Sequence, residues 1–186
     1  MNPIKNKKDL ETTINELRSF SYAYLEKYSA SKQQLRTYLL KKFLKKKLNI
    51  NNKKDLLILI DEVIATLVKE NVVNDKYYSD AKSKVFLRRG YSINKIRYSL
   101  IKKGIEEKYI RASISKIKEN EADPDFFSAL KICKKKRIGP VREESNRGLF
   151  YKKDMGILAR SGFTFDISKR VLDISKEDFK KLYKMI

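Results

Sequence analysis

The sequence contains no histidine, and Cys133 is its only cysteine. Zinc sites built from cysteine and histidine, Ser-His and Cys-His nucleophile pairs, and disulfide bonds within the chain are therefore excluded. Cys133 follows Leu130 and Ile132 in an apolar stretch. We expect it to be a small buried side chain rather than a reactive thiol.

Turn residues are also scarce, with three prolines and six glycines among 186 residues. This composition leaves little turn material for a β-rich fold, so we expect an all-α protein. There is no apolar N-terminal stretch of signal-peptide length and no transmembrane run, which predicts a cytoplasmic protein without a membrane partner.

Catalytic patterns are missing as well. No GxxxxGKS or GxxxxGKT phosphate loop is present, and acidic doublets such as Asp61-Glu62 point in different directions on a helix. We therefore predict that the chain is not an enzyme and has no catalytic residue, no metal site and no cofactor.

Acidic residues are few relative to basic ones. The chain has 44 lysines and arginines against 23 aspartates and glutamates, a formal net charge of +21. Such a charge favours nucleic acid, an anionic membrane or an acidic protein surface as partner. The lysine-, asparagine- and isoleucine-rich composition fits an AT-rich genome, but that bias does not explain the scarcity of acids. We interpret the charge as partly functional.

Helix signals recur along the chain. Residues 56–68 are strongly apolar, with polar residues interleaved at helical spacing, and we expect this helix to be the most buried element. Ser31 with Gln34 makes a capping-box pattern, and Ser92 is a second cap candidate. Further helices are predicted to begin at Asp123-Pro124 and at Ser175.

An internal repeat organises these helices. Moving residues 88–117 back by 61 positions places Ser92 on Ser31 and Leu100 on Leu39, and a weaker third copy at 158–163 aligns with 100–105. Short amphipathic helices at a fixed period bury their apolar stripes against neighbouring copies. Gly104 should end its helix in the left-handed conformation.

These patterns predict three tandem units of helix-turn-helix-like character. The predicted boundaries are a basic, disordered tail at 1–8, then units at 9–74, 75–120 and 121–186, the last with a terminal capping helix. We expect a loop at 49–52. We also expect Gly139-Pro140 to stop a helix and a charged loop to follow at 141–148.

The order and spacing of several segments resemble the RecX family over residues 20–175. These segments are 24–28, 35–36 with 41–42, 73–75 with Tyr78 and Ala81, 89–91, 96–97 with Leu100 and 103–104, 134–140, and the Ala-Arg-Ser-Gly-Phe run at 159–163. The Arg-Ile-Gly-Pro sequence at 137–140 is most similar to alpha-proteobacterial members.

Two departures from the family pattern stand out. Asn71 stands where the family often has glycine, although asparagine tolerates left-handed geometry better than most residues. Asp154 and Met155 stand where the second unit has Ile96 and Arg97. We therefore expect the third unit to pack and bind differently.

The resemblance implies three-helix repeats in an elongated, curved array that binds the RecA filament on DNA. It also implies that the protein inhibits RecA strand exchange and the coupled ATP hydrolysis, and so affects DNA repair, recombination and the SOS response. We expect a monomer that can also contact single- or double-stranded DNA. A direct DNA-binding regulator of helix-turn-helix type remains the alternative.

Basic clusters are the candidate binding residues. They are Lys41 and Lys42; Arg88 and Arg89; Lys102 and Lys103; and Lys134, Lys135, Lys136 and Arg137. A single lysine in such a run is more often part of a solvated helix face. Arg36 and Arg97 are individual candidates, because guanidinium pairs bidentately with carboxylate or phosphate, but bridging two helices is an equally open reading.

Tyrosines amid this charge have two possible uses. Tyr22, Tyr38, Tyr91, Tyr98 and Tyr151 could stack on bases of single-stranded DNA. Packing between amphipathic helices is the commoner use of tyrosine, and we favour it here.

Overall fold

A computed structural model of the chain describes residues 7–45 and 53–185, and the side chains of 13–44 and 54–185. Within these ranges there are ten α-helices, one 3₁₀ turn at Gly139–Val141 and no strand, which confirms the all-α prediction. The helices are α1 (Lys7–Lys27), α2 (Lys32–Lys45), α3 (Lys53–Lys69), α4 (Asp75–Arg88), α5 (Ile93–Ile101), α6 (Glu107–Asn120), α7 (Pro124–Lys136), α8 (Glu144–Arg160), α9 (Phe165–Leu172) and α10 (Lys176–Tyr183).

The described chain divides into two compact units. One comprises the residues up to Tyr78 together with 103–106, and the other comprises 79–102 and the residues from 107 onward. The predicted boundaries at 74/75 and 120/121 fall in connections between helices. The three-repeat division itself stays a prediction.

The core of the first unit is built from α1, α2 and α3. Helix α3 supplies more buried apolar side chains than any other described helix, as its sequence predicts: Leu56, Leu59, Ile60, Val63, Ile64 and Leu67. Leu35, Leu39 and Phe43 of α2 pack against this stripe. Burying a full leucine or phenylalanine side chain contributes about 1.5–3 kcal/mol, so this stripe accounts for much of the stability of the unit.

The second unit has its core around α7, α8 and α9. Cys133 is fully buried there with Leu130, Leu158 and Val171. Burial raises the pKa of the Cys133 thiol to about 12, so the thiol is neutral and behaves as the small hydrophobe that was expected.

The predicted helix caps are present. Ser31 and Gln34 form a reciprocal capping box, with N–H to side-chain oxygen distances of 3.3 and 3.2 Å. The Asp123 carboxylate accepts a hydrogen bond from the Phe126 N–H at 3.2 Å, and the Ser175 hydroxyl accepts one from the Asp178 N–H at 3.0 Å. Each cap satisfies a backbone donor that has no partner inside its helix.

Left-handed residues end several helices. Gly104 has φ +73°, as predicted, and Asn71 has φ +60°, a left-handed conformation that asparagine tolerates. Helix α7 differs from expectation. Arg137, with φ +54°, caps it before Gly139-Pro140 is reached, so the left-handed arginine rather than the Gly-Pro pair stops the helix.

Two predicted boundaries are wrong. Helix α1 begins at Lys7, so the predicted tail at 1–8 is too long; residues 1–6, like the predicted loop at 49–52, lie outside the described residues. The predicted charged loop at 141–148 is mostly helix, because α8 begins at Glu144. Glu144 lies in the first turn of α8, where the positive end of the helix dipole stabilises an acidic side chain.

Contacts made by Arg147 stabilise the helical form of this charged segment. Its guanidinium pairs with Glu144 one turn earlier at 3.0 Å and donates to the carbonyls of Leu172 and Ile174, both at 2.7 Å. The two carbonyls lie at the end of α9 and just beyond it. Residues that appear to be a solvated loop in the sequence are therefore tied to a distant helix end.

A serine junction joins the start of α2 to later parts of the first unit. Besides capping α2, the Ser31 hydroxyl donates to the Lys103 carbonyl at 2.6 Å. The N–H of Lys32 donates to Asp75 Oδ1 at 2.9 Å. One helix N-terminus is thus held by a carbonyl and a carboxylate more than 40 residues away.

The second unit contains the same junction. Ser92 accepts from the Lys95 N–H at 3.1 Å, and its hydroxyl donates to the Ser161 carbonyl at 3.1 Å. The N–H of Ile93 donates to Asp125 Oδ1 at 2.7 Å. The two junctions, whose serines Ser31 and Ser92 the 61-residue shift superimposes, therefore contain the same three kinds of hydrogen bond.

Glycine is required where each junction closes. A Cβ atom added at Gly162, whose φ is +88°, would lie 2.5 Å from the Ser92 hydroxyl oxygen. A Cβ atom at Gly104 would overlap the side chain of Gln33. Any side chain at these positions would push the serine-bearing helix away.

We predict that Gly162→Ala lowers the free energy of unfolding by about 1–3 kcal/mol, because it adds both backbone strain and the overlap with Ser92. Gly148→Ala is the matched control. Gly148 lies within α8 with no atom within 4 Å of an added Cβ, so alanine there should raise stability by about 0.5–1 kcal/mol. Urea denaturation measures both, and equal effects of the two variants would contradict the junction role.

Candidate partner-binding surface

Arg36 forms a bidentate ion pair within the first unit. Its Nε and Nη2 atoms donate to the two carboxylate oxygens of Asp61 on α3, at 2.5 and 2.8 Å. The hydrogen bond from Arg36 lowers the pKa of the Asp61 carboxyl. Of the two roles left open by the sequence, the structure shows the bridge between helices.

Arg97 makes the corresponding bridge in the second unit. It lies on α5 and contacts Glu107 of α6 at 2.6 Å, and Glu107 also pairs with Arg111 at 3.0 Å. Both arginines keep part of their side chains in solvent, 35% for Arg36 and 48% for Arg97. Partner contact by either residue stays a prediction.

The clusters at the C-termini of α4 and α7 are exposed. Arg88, Arg89, Lys135, Lys136 and Arg137 are all exposed, and none has a carboxylate at ion-pair distance in the described part of the chain. Cations at a helix C-terminus also interact favourably with the helix dipole. These five side chains are available to a partner without breaking an existing ion pair.

Three of the remaining predicted cations lie against aromatic rings. Lys42 Nζ is 5.2 Å from the centroid of the Phe20 ring, Lys102 Nζ is 4.5 Å from that of Tyr98, and Lys134 Nζ is 5.8 Å from that of Tyr183. Lys41 is exposed, and Lys103 is half-buried in the serine junction of the first unit. Lys103 is therefore a poorer candidate than its neighbour Lys102.

A groove between α4 and α6 extends the surface around Arg88. It measures about 580 Å³ and is also lined by Lys84, one turn before Arg88, and by Lys116. Lys116 pairs with Asp80 at 2.5 Å. Lys84 is not among the cations predicted from the sequence, although its spacing of four from Arg88 places both on one helix face.

The third predicted unit differs from the second at its middle helix. Asp154 of α8 aligns with Ile96 of α5 in the predicted repeat. Both residues are buried, with 1% of Asp154 and 0% of Ile96 exposed. Arg142 donates two hydrogen bonds to its carboxylate, at 2.6 and 2.8 Å, and the Gly139 N–H donates a third at 2.9 Å. Burial raises the pKa of Asp154, but these hydrogen bonds outweigh burial and hold it below the usual value.

Known proteins with similar sequence are regulatory proteins. The chain is 29% identical over 163 residues to regulatory protein RecX of Myxococcus xanthus, covering 84% of each. It is 26% identical to regulatory protein RecX of Streptococcus uberis and 32% identical to that of Clostridioides difficile, but spans only 57% and 52% of their lengths. No protein-family profile matches the sequence.

A solved structure has the same fold. The crystal structure of a regulatory protein RecX superimposes with a TM-score of 0.60, covering 93% of this chain and 80% of that one, at 15% identity. The sequence relatives are regulatory proteins named RecX, and the solved structure shows that this chain shares their kind of fold. The nearer affinity to alpha-proteobacterial members stays a prediction.

Two kinds of feature are absent from the described residues. No group of three or more acidic or cysteine side chains there is placed to hold a metal ion. None of the described helices is long and apolar enough to cross a bilayer.

Three of the five candidate tyrosines pack within the fold, which is the use that we expected. Tyr38 stacks on Tyr24 with centroids 4.1 Å apart, Tyr91 stacks on Phe86 at 5.1 Å, and the Tyr151 hydroxyl donates to Asp173 at 2.9 Å. The other two candidates are more exposed, 47% for Tyr22 and 57% for Tyr98.

We predict that Arg36→Asp alone lowers the free energy of unfolding by up to about 1 kcal/mol, the range for a solvent-screened pair. Adding Asp61→Arg should recover most of the loss, because the swapped charges can form the same bridge. Chemical denaturation of the single and double variants tests the coupling. Additive losses in the double variant would show that the pair does not interact.

We predict a separate acid-sensitive contribution from Asp154. Its pKa is lower in the folded than in the unfolded chain, so its stabilising effect is present at neutral pH and fades as the pH falls below about 4. Asp154→Asn should cost about 1–3 kcal/mol at pH 7 by weakening the bonds from Arg142 and Gly139. The difference from wild type should narrow towards pH 2; a difference independent of pH would contradict this.

Proposed function

We propose that this chain is a RecX-type regulatory protein that binds the RecA nucleoprotein filament and inhibits its recombinase and DNA-dependent ATPase activities. The similarity over 84% of its length to a regulatory protein RecX carries the proposal. The exposed cations at the ends of α4 and α7 support it, because a filament presents acidic side chains and DNA phosphates.

The physical basis is electrostatic attraction without a catalytic step. Arg88, Arg89, Lys135, Lys136 and Arg137 approach a partner with their charges uncompensated by the described carboxylates. Arginine pairs with carboxylate or phosphate through two parallel hydrogen bonds, which fixes orientation as well as charge. Such contacts would hold the protein on the filament and hinder its growth or its turnover of ATP.

The test is the rate of ATP hydrolysis by RecA on single-stranded DNA while the purified protein is titrated in. Wild type should slow hydrolysis at concentrations well below that of RecA. Arg88→Glu with Arg89→Glu should require about tenfold more protein for the same effect, equivalent to roughly 1.4 kcal/mol of binding free energy.

The matched control is Lys180→Glu with Lys184→Glu. These lysines are exposed near the C-terminal end of the described chain, and their reversal changes the net charge by the same amount. The control should inhibit as wild type does. Equal weakening in both variants would indicate a response to total charge rather than to the α4 terminus.

Direct DNA binding is the competing outcome. A DNA-binding regulator would hold bare duplex with an affinity that falls steeply with salt, and would leave RecA hydrolysis unchanged at every ratio. That result would contradict the proposed role in RecA regulation and leave the RecX resemblance as one of fold.

A further inference from the structure

The first unit carries an uncharged pocket lined with tyrosines. Its volume is about 390 Å³, and its lining residues are Leu25, Tyr28, Ser29, Ala30, Asn71, Val72, Asn74, Tyr77 and Tyr78. None of these nine is charged, although 36% of the sequence is charged. The composition of the pocket therefore differs sharply from that of the chain as a whole.

The rim of the pocket exposes apolar surface that the described residues leave uncovered. Tyr77 is 73% exposed, Tyr28 58% and Val72 42%. Contiguous exposed apolar groups around a concavity are typical of interaction sites, and tyrosine is enriched among the residues that dominate binding.

The same rim is held in place by the fold. Tyr28 packs against Tyr24 with ring centroids 5.1 Å apart, and Asn74 caps the first turn of α4 by accepting from the Tyr77 N–H at 2.9 Å. The left-handed Asn71 directs the Val72 N–H to the Leu67 carbonyl, at 2.9 Å. A rim ordered before binding lowers the entropic cost of association.

The floor is also neutral and fixed. Tyr78 is 2% exposed, and burial raises the pKa of its hydroxyl to about 12, so it is uncharged at any physiological pH. Val73, in the turn between α3 and α4, is buried in the core and holds this turn in place. These contacts fix the backbone and the floor of the pocket.

The charge of the lining indicates the class of occupant. A nucleic-acid strand brings phosphates, which are bound by lysine and arginine, and the lining offers neither. An acidic peptide would likewise find no cation in the pocket. A neutral protein segment with an aliphatic or proline side chain matches the lining, since the faces of tyrosine rings pack well against such side chains.

We propose that this tyrosine pocket, centred on Tyr77, Tyr28 and Val72, binds an uncharged, apolar-bearing segment of a partner protein. The inference rests on the proposed function in taking the protein component of the RecA filament as that partner. Recognition would then have two parts: the basic clusters attract the filament, and the neutral pocket contacts its protein.

The test compares binding of labelled full-length protein to RecA assembled on single-stranded DNA and to the same DNA alone, by fluorescence anisotropy. Tyr77→Ser and Val72→Ser should each weaken filament binding about five- to tenfold, as expected for residues at the centre of an interface. Both should leave affinity for bare DNA unchanged. Phe165→Ser is the matched control, because Phe165 is similarly exposed at 67% but lies on α9 outside the pocket, and it should bind the filament as wild type does.

The other outcomes separate the possibilities. Equal weakening on filament and bare DNA by Tyr77→Ser would overturn the inference in favour of base stacking. Unchanged filament binding in both pocket variants would overturn it while leaving the proposed function standing. A wild-type protein without affinity for the filament would overturn both.

Discussion

A serine hydroxyl that serves two chain segments at once is the interaction on which the helix arrangement depends. Ser31 and Ser92 each accept a hydrogen bond from the helix they cap and donate one to a distant turn carbonyl. Asp75 and Asp125 complete the same junctions by accepting from the next N–H. Because helix N-termini leave four backbone donors unpaired, these distant acceptors stabilise the helix and position it in one step.

The junction aspartates show the energetic cost of this arrangement. Burial raises the pKa values of Asp75 and Asp125, while the backbone hydrogen bonds that each accepts act in the opposite direction. A raised pKa means that folding favours the protonated form, so each charge opposes folding at neutral pH. Their value lies in fixing the position of a helix end. Asp154 differs because Arg142 neutralises it, and its pKa is lowered.

The surface separates two kinds of recognition. Cations without described carboxylate partners occur at the ends of α4 and α7, whereas the tyrosine pocket of the first unit is neutral. Long-range attraction depends on charge and weakens with salt, while a preformed apolar pocket acts at contact distance and depends little on salt. Under the proposed function, the pocket would distinguish protein-coated from bare DNA, which charge alone does not do.

The sequence by itself determined the features whose cause lies within a turn or two of chain. The helical class, the Ser31 capping box, the left-handed Gly104 and the burial of Cys133 follow from local spacing and composition. Only the tertiary structure decided that Arg36 pairs with Asp61, 25 residues away, and that Arg147 holds the end of α9. Local patterns specify which face of a helix is apolar. They do not specify which distant side chain meets that face, because that depends on how loops and packing bring separate helices together.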